Sequence, residues 1–403
     1  MKVPPLRGRT LHESLFDPRL FRLQVKQQVN VSSKQEFAGQ APGLFVGRFG
    51  YPRVRLGLLA TEQYERHDDP LSWVRRGVLL GEVVRLRSEL VNAGRQAHVK
   101  LPSARLAEKV KSLAQEAAMA VKPVKMDVGL DKKPVFRLRM EDDAMPHGPL
   151  AGLRSARVTS NPKIPSLVEK TVDDGDLRAA DGLGRLWRRG FGEHQLSKLL
   201  SAGTLGQKLE RRLVPTRWGI TAVDDIVGKQ LHGKLQDFAE LDFRAYFGGY
   251  MGNYFLVLLL PQPWAFELFE NYVGRGTRRL QTRYHDVEGV RGRSSYAENT
   301  AGGYYAARLA VLEHLVGLRR KAGVLVLRFI SDEYWAPLGV WVVREAVRAA
   351  LVEKPLLFGS WELLRQYAVS LVRRKFGADV GVVLSASRVL FERRSQTTLG
   401  RFS

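Results

Sequence analysis

The sequence predicts a mixed α/β or α+β fold in which mixed sheets pack against helices, with two subdomains and a flexible C-terminal tail. Continuous apolar runs typical of buried strands, at 254–260 and 324–330, stand among segments with helical spacing. The chain has 403 residues, more than one hydrophobic core usually contains. Turn-forming residues cluster over 145–165, which indicates a boundary. The predicted divisions are an N-terminal basic α+β domain over 1–150, a C-terminal α/β domain over 151–392 and a flexible tail over 393–403.

In the N-terminal domain, short strands at 45–46 and 54–56 flank a turn at 50–52 that contains Gly and Pro. Apolar residues recur with helical spacing over 104–120, which predicts an amphipathic helix. Residues 122–158 are rich in Pro, Lys and Met and alternate between strand-like and loop-like segments. Together these elements favour an α+β arrangement.

Two helical segments follow, over 176–190 and 192–203, with Gly190 at the break between them. Their apolar positions repeat at the spacing of a helix face. The pair is either a helix-turn-helix in which His194 and Lys198 read a DNA groove, or two helices that only pack together. The sequence leaves both alternatives open.

The C-terminal domain contains further helical segments. Amphipathic helices are predicted over 302–323 and 338–354, because each shows helical spacing and ends at Gly or Pro. A third helix is predicted over 361–375. The segment 379–390 that follows is predicted to be a strand.

Net charge is the strongest bulk signal, because 64 Lys and Arg residues oppose 41 Asp and Glu residues and leave +23. Residues 1–150 contain 26 basic and 16 acidic residues, a net charge of +10, so the excess is spread over both predicted domains. Lys and Arg contacts to phosphate supply most non-specific nucleic-acid affinity. We therefore expect a nucleic acid as a partner, while binding to ribosomes or lipids, or a charge that only keeps the protein soluble, are the alternatives.

Residue types that are missing exclude several classes of site. There is no cysteine, which excludes disulfides, thiolate nucleophiles and cysteine-ligated metals. The eight histidines lack metal-ligand spacing, so no histidine metal site is expected. No apolar run approaches the roughly 18 residues of a membrane span, and the first residues contain no apolar signal core. We expect a cytoplasmic, nucleoid-associated protein without a membrane partner.

Pairs of acidic residues suggest a site for Mg²⁺, the hard cation used in phosphodiester chemistry. The candidate catalytic carboxylates are Asp224, Asp225, Asp332 and Glu333. The alternative for the first pair is structural, because Thr221 and Asp224 have a spacing like that of a capping box at a helix start. Consecutive residues on a helix also point about 100° apart, so two adjacent acids there would not share one ion.

Gly302 and Gly303 open a predicted helix, and exposed backbone N–H groups at such a position bind anions. The candidates for phosphate or DNA contact are Arg217, Arg291, Arg293, Ser294, Gly302, Gly303, Arg344 and Arg348. The alternative for the glycines is that they only permit close helix packing. The alternative for Arg344 and Arg348, which share a helix face, is pairing with Glu345 and other acids inside the fold.

The segment QTTLGRF near the C-terminal end has the spacing Q-x-x-L-x-x-F at Gln396, Leu399 and Phe402. In a 3₁₀ turn, residues three apart project together, so Leu399 and Phe402 would form a two-pronged apolar plug. Gln396 would hydrogen-bond at its edge. This is the logic of the PCNA-interacting peptide, or PIP motif, of sliding-clamp partners. The alternative is a tail packed on its own domain.

Seven segments carry a resemblance that extends over most of the chain. They are FVGRFGYPRVRLG (45–57), DDPLSW (68–73), LVPTRWGITAVDD (213–225), GNYFLVLLLPQPWAFELFE (252–270), TAGGYYAARLAVLEHL (300–315), EYWAPLGVWVVREAVR (333–348) and QTTLGRF (396–402). In these segments the chain resembles the archaeal Nre family of DNA repair proteins. The resemblance implies a role in DNA damage repair and binding to PCNA through Gln396, Leu399 and Phe402.

One departure from that family concerns cysteine. Many members begin with a cysteine cluster similar to a zinc-binding module, whereas this chain has no cysteine and resembles the shorter, zinc-less branch. We expect a repair factor that binds PCNA through its tail and DNA through its basic surface. The first alternative is a metal- or nucleotide-dependent enzyme acting on nucleic acid, and the second is a non-catalytic RNA-binding protein. Enzymatic activity stays open.

Overall fold

The computed structural model describes residues 34–100, 104–135, 145–274 and 280–399. Its mixed strands and helices confirm the predicted mixed α/β class. By compactness the described residues form two units, which we call the barrel unit (34–230) and the sheet unit (231–399). This division differs from the sequence-based boundary at 150, which coincides with the first residue of a barrel strand.

A closed barrel of five strands forms the core of the barrel unit. The strands are β1 (Glu36–Val46), β2 (Arg53–Thr61), β3 (Val91–His98), β4 (Val124–Leu130) and β5 (Leu150–Val158). They lie in the order β1-β2-β3-β5-β4, and β1 also pairs with β4, which closes the barrel. All pairs are antiparallel except β3 with β5. This order, with a helix between the third and fourth strands, is that of the OB-fold, a Greek-key barrel.

Several helices also begin in the barrel unit. They are α1 (Pro70–Arg75), α2 (Leu80–Ser88), α3 (Arg105–Met119), α4 (Ser166–Asp173), α5 (Ala179–Trp187), α6 (Glu193–Ser201) and α7 (Thr216–His232). Helix α3 confirms the prediction over 104–120, and its Val110, Leu113 and Ala117 pack into the barrel core at helical spacing. The predicted helix pair over 176–190 and 192–203 corresponds to α5 and α6.

A six-stranded mixed sheet organises the sheet unit, in the order β10-β9-β12-β8-β7-β13. The strands of this unit are β6 (Ala239–Glu240), β7 (Phe243–Tyr250), β8 (Asn253–Leu260), β9 (Ala265–Tyr272), β10 (Gln281–Glu288), β11 (Arg320–Lys321), β12 (Gly323–Ile330) and β13 (Leu356–Phe358). Its helices are α8 (Ala301–Leu318), α9 (Trp341–Val352), α10 (Trp361–Phe376), α11 (Gly381–Ser385) and α12 (Arg388–Leu399). Central β12 runs parallel to β9 and antiparallel to β8.

Helices cover the central strands, which explains the continuous apolar runs predicted as strands at 254–260 and 324–330. Leu256 and Leu258 of β8 belong to one core cluster with α10 and α12. Phe255, which points to the opposite face, is equally buried. Along the described ranges, no helix combines the length and apolar character needed to cross a membrane.

The predicted strand over 379–390 is wrong, because this segment forms α11 and the first turn of α12. Val380, Val383 and Leu384 are buried and have the i, i+3, i+4 spacing of a helix face. The apolar composition of the segment suggested a strand, but its period is that of a helix.

Candidate nucleic-acid interface

Residues 47–52, which we call the tip loop, connect β1 to β2 in a tight hairpin. Gly50 has a φ of +81°, a left-handed conformation that glycine adopts without strain. Its carbonyl accepts the N–H of Arg53 at 2.9 Å. The N–H of Gly47 donates to the carbonyl of Arg55 at 2.8 Å. These bonds form the turn that the sequence predicts at this position.

Two aromatic side chains of the tip loop face solvent. Phe49 is 74% exposed and Tyr51 is 45% exposed. The guanidinium carbon of Arg48 lies 4.8 Å from the centroid of the Phe49 ring, in a cation–π arrangement. The ring of Tyr51 lies 5.4 Å from that of Trp218, at an angle of 51°. The loop therefore presents aromatic rings together with a cation.

Trp218 reaches the tip loop because the start of α7 is joined to the end of β1. The N–H of Val46 donates to the hydroxyl of Thr216 at 2.9 Å. The N–H of Trp218 donates to the carbonyl of Pro215 at 2.8 Å, which fixes the first turn of the helix. Trp218 is half-buried, and its ring contacts that of Tyr51, which stays 45% exposed.

Positive charge surrounds these rings. Within the described ranges, the side chains of Arg48 and Arg53 have no carboxylate partner, and Nε of Arg48 is buried without a hydrogen bond. Arg53 lies opposite His98 in the β2–β3 ladder. Arg217, a predicted phosphate contact, is half-buried and adjoins Trp218 in α7. Arginines beside exposed aromatic rings can bind a ligand that carries both negative charge and flat rings.

A second polar cluster lies deeper in the barrel unit, around the buried carboxylate of Asp68. Nη1 of Arg87 lies 2.6 Å from this carboxylate, Nε2 of His194 lies 2.9 Å from it, and Nζ of Lys198 lies 3.9 Å from it. A Cβ on Gly43 would lie 2.8 Å from its Oδ2, so strand β1 passes directly against the acid. His194 and Lys198, the predicted readers of a helix-turn-helix, thus face a buried carboxylate of the fold.

The charge state of this cluster follows from its burial and pairing. Burial alone would raise the pKa of Asp68, but His194, Arg87 and Lys198 together hold that pKa well below its usual range. Burial lowers the pKa of Arg87 and of Lys198. A cavity of about 40 Å³ adjoins the cluster. Because Asp68 stays ionised and paired, its role in this arrangement is to hold chain segments together.

The first predicted carboxylate pair lies within α7. That helix begins at Thr216, five residues before Thr221, so the predicted capping role of Thr221 is wrong. Its hydroxyl instead donates to the carbonyl of Arg217 at 3.3 Å. Asp224 is buried, whereas Asp225 accepts from Lys229 at 2.7 Å on the adjacent turn. The two acids therefore project in different directions, as their consecutive helical positions require.

Gly302 and Gly303 lie in the first turn of α8, as predicted. That helix end already holds an internal anion, because Asp286 accepts the N–H of Thr300 at 2.7 Å and its hydroxyl at 2.8 Å. A Cβ on Gly303 would lie 3.0 Å from Oε1 of Glu270. Gly303 thus permits close packing, the alternative that the sequence left open.

Of the three candidates just before α8, one forms bonds within the fold and two are exposed. Arg293 donates to the carbonyl of Val287 at 3.2 Å and lies 3.1 Å from a carboxylate oxygen of Asp286. Arg291 and Ser294 are exposed. Of these three candidates, Arg293 supports the turn.

Asp332 and Glu333 accept hydrogen bonds from tyrosines. The hydroxyl of Tyr272 donates to Asp332, and that of Tyr254 donates to Glu333 at 2.9 Å. In the part of the chain that the structure describes, no group of three or more His, Asp or Glu side chains is arranged to hold a metal ion.

Arg344 and Arg348 lie on α9 and are involved in ion pairs. Arg348 lies 2.8 Å from Glu313 and 2.7 Å from Glu345. Arg344 is buried, and its Nε lies 3.9 Å from Glu345. This arrangement is the internal pairing considered as the alternative to phosphate contact.

Comparison with known proteins identifies the family of this chain. The model of the N-terminal part of archaeal Nre proteins matches residues 18–277, and the model of their C-terminal part matches residues 288–402. The chain belongs to the archaeal Nre family. This membership confirms the resemblance that the seven sequence segments indicate.

Nre relatives cover most of its length. DNA repair protein NreA of Haloferax volcanii is 39% identical over 81% of this chain and 80% of its own. NreA of Archaeoglobus fulgidus is 39% identical over 80% of this chain and 81% of its own. DNA repair protein NreB of the same archaeon is 34% identical over 92% of this chain and 93% of its own. No solved structure matches the chain.

The predicted PIP residues of this Nre chain lie at the limit of the described residues. Gln396 and Leu399 belong to α12 by their backbone. Phe402 lies outside the described residues. The helix enters the range predicted as a flexible tail, and binding to PCNA remains a prediction.

Sequence reasoning on this Nre chain missed the tip loop and the Asp68 cluster as sites. The sequence did carry a signal for the tip loop, because Phe49 and Tyr51 lie at a predicted turn between Arg48 and Arg53. Asp68 offered no such signal, because its partners lie far along the chain.

Proposed function

We propose that the chain is a DNA damage repair factor that contacts DNA with the barrel unit and binds PCNA with its C-terminal segment. The observation that carries the DNA part is the tip loop, where Phe49 and Tyr51 are exposed beside Arg48 and Arg53. Guanidinium groups contact phosphates, and the net charge of +23 adds a long-range attraction. Relatives named DNA repair proteins match most of the chain, which supports the same role.

The PCNA part is supported by the spacing of Gln396, Leu399 and Phe402. A short plug of two apolar side chains and one amide typically gives micromolar affinity, about −8 kcal/mol. Once bound to a clamp that encircles DNA, the barrel unit would experience a high effective concentration of DNA. Weak contacts at the tip loop would then suffice.

Calorimetric titration of PCNA with the full chain tests whether the C-terminal segment binds PCNA. We expect micromolar binding by the wild type and loss of at least about 10-fold in affinity for the double variant Leu399→Ala/Phe402→Ala. The matched control is Thr397→Ala/Thr398→Ala, which changes the same segment between the motif positions and should bind as the wild type does. Equal affinity of the wild type and the Leu399→Ala/Phe402→Ala variant would rule out this mode of binding.

A further inference from the structure

We propose that the tip loop binds single-stranded DNA by stacking unpaired bases on Phe49 and Tyr51. This inference rests on the proposed function, because it names the form of DNA that the barrel unit contacts. Its test is arranged so that the two ideas can fail separately.

The first step of the argument is the accessibility of the rings. Phe49 is 74% exposed, although Arg48 lies against one face of its ring. Tyr51 is 45% exposed, and Trp218 supports it. Because Tyr51 is held by this contact, little side-chain freedom is lost when a ligand stacks on it.

The second step concerns the form of the nucleic acid. In a duplex the bases stack on one another, so their faces are not available to side chains. In a single strand the faces are accessible, and stacking on aromatic side chains is the usual basis of binding without sequence preference. A loop that offers two aromatic rings therefore favours unpaired bases over paired ones.

The third step concerns the phosphates that accompany those bases. Within the described ranges, neither Arg48 nor Arg53 has a carboxylate partner, so both can contact a DNA backbone. Arg53 begins β2 and lies opposite His98 at the end of β3. A DNA strand that stacks on the tip loop would thus pass close to Arg53 at the start of β2.

The barrel topology agrees with this placement. In barrels of the OB-fold order, oligonucleotides bind over the second and third strands and the loop between the first and second. A fold supports many functions, so topology alone would not carry the inference. The side chains of the tip loop supply the specific argument.

Fluorescence anisotropy of the full chain tests the proposal, with a labelled mixed-sequence strand of about 20 nucleotides, long enough for one such site. The same DNA as a duplex and the same sequence as RNA are measured in parallel at about 150 mM salt. We expect the DNA strand to bind more tightly than the duplex and at least as tightly as the RNA. Phe49→Ala should weaken strand binding by about 5-fold to about 100-fold, the usual range for one lost stacking contact.

Two variants serve as controls. Phe49→Trp keeps a stacking ring and should bind the strand as the wild type does. Leu209→Ala removes another apolar side chain of the barrel unit that is 85% exposed, and it should have no effect. Because Phe49 is mostly in solvent, its removal is expected to leave thermal unfolding unchanged.

The outcomes separate the two ideas. Strand binding by Phe49→Ala equal to that of the wild type overturns the stacking proposal. So does duplex binding as tight as strand binding, although DNA binding by the chain then stands. Tighter binding of the RNA also overturns it. Absence of binding to both DNA forms overturns this proposal together with the DNA part of the proposed function, while the PCNA titration judges the tether independently.

Discussion

Asp68 joins the segment before α1 to α2 through its ion pair with Arg87, and to α6 through its contacts with His194 and Lys198. Arg87 also donates to the carbonyl of Pro146 at 2.7 Å, so the same network holds the approach to β5. Removing one member of a buried ion pair leaves an uncompensated charge, which usually costs about 3 to 5 kcal/mol. This cluster is therefore a structural centre of the barrel unit.

Asp68→Asn should lower the free energy of unfolding by about 3 kcal/mol or more, because Arg87 and Lys198 would remain buried without a counter-charge. Urea unfolding of the full chain measures the difference. The control is Asp69→Asn, since Asp69 caps α1 by accepting the N–H of Ser72 at 3.1 Å and asparagine caps equally well. Similar losses in the two variants would contradict the role given to Asp68.

The same residue sets a pH dependence. The pKa of Asp68 is depressed in the folded state, so its stabilisation is fully present above the ordinary carboxyl pKa of 3.8 and is lost as the pH falls below it. The stability difference between the wild type and Asp68→Asn should therefore narrow in acid.

At the scale of single elements, α12 is anchored to the sheet unit by one buried carboxylate. Glu267 of β9 accepts the N–H of Arg388 at 2.9 Å and that of Val389 at 3.1 Å. It also accepts the hydroxyl of Ser387 and lies 2.6 Å from Nε2 of His285. An anion at a helix N-terminus is favourable, so this contact fixes where the element that leads to the PIP motif begins.

Glu267→Gln should loosen the start of α12, because a neutral amide cannot accept all of these bonds or complement the helix dipole. We expect amide hydrogen exchange over 387–390 to accelerate by about 10-fold, the equivalent of roughly 1.4 kcal/mol. Mass spectrometry of the peptides that contain these amides measures it. Glu392→Gln, on the exposed side of the same helix and 3.8 Å from Arg388, is the control. Unchanged exchange in Glu267→Gln would show that the helix start is held by other contacts.

For the whole molecule, the excess of positive charge is the property that acts over the longest distance on a polyanion. The net charge is +23, and it is distributed over both predicted domains. Affinity for a polyanion then falls as salt rises, because bound counterions are released with each phosphate contact. Salt dependence thus separates the charge contribution from the stacking contribution at the tip loop.

Arg48→Ala/Arg53→Ala should reduce the slope of log K against log salt for single-stranded DNA by about 1.4, since each phosphate contact contributes about 0.7. Anisotropy titrations over a series of NaCl concentrations give the slope. Lys354→Ala, an exposed cation of the sheet unit, should leave it unchanged. A slope that is the same in the arginine variant and the wild type would remove these two side chains from the interface.

How much the sequence could predict depends on the range of the interactions. The turn near Gly50 and the helix over 104–120 follow from local residues, so both were predicted correctly. Closure of the barrel requires β1 to pair with β4, about 85 residues away, and no local pattern encodes that pairing. Asp68 and its partners are likewise distant in sequence. Asp224 and Asp225 were predicted as a candidate site only because they are adjacent in sequence.

Closure of the barrel also determines where other polypeptides can add to this chain strand by strand. A terminal strand presents unpaired backbone groups to which a foreign strand can attach, and a closed ring of strands has no such margin. Within the described ranges, β10 and β13 end the six-stranded sheet, while β1 to β5 each have two neighbours. Addition of a strand from another polypeptide, whether by recruitment or by misassembly, is thereby directed to the sheet unit.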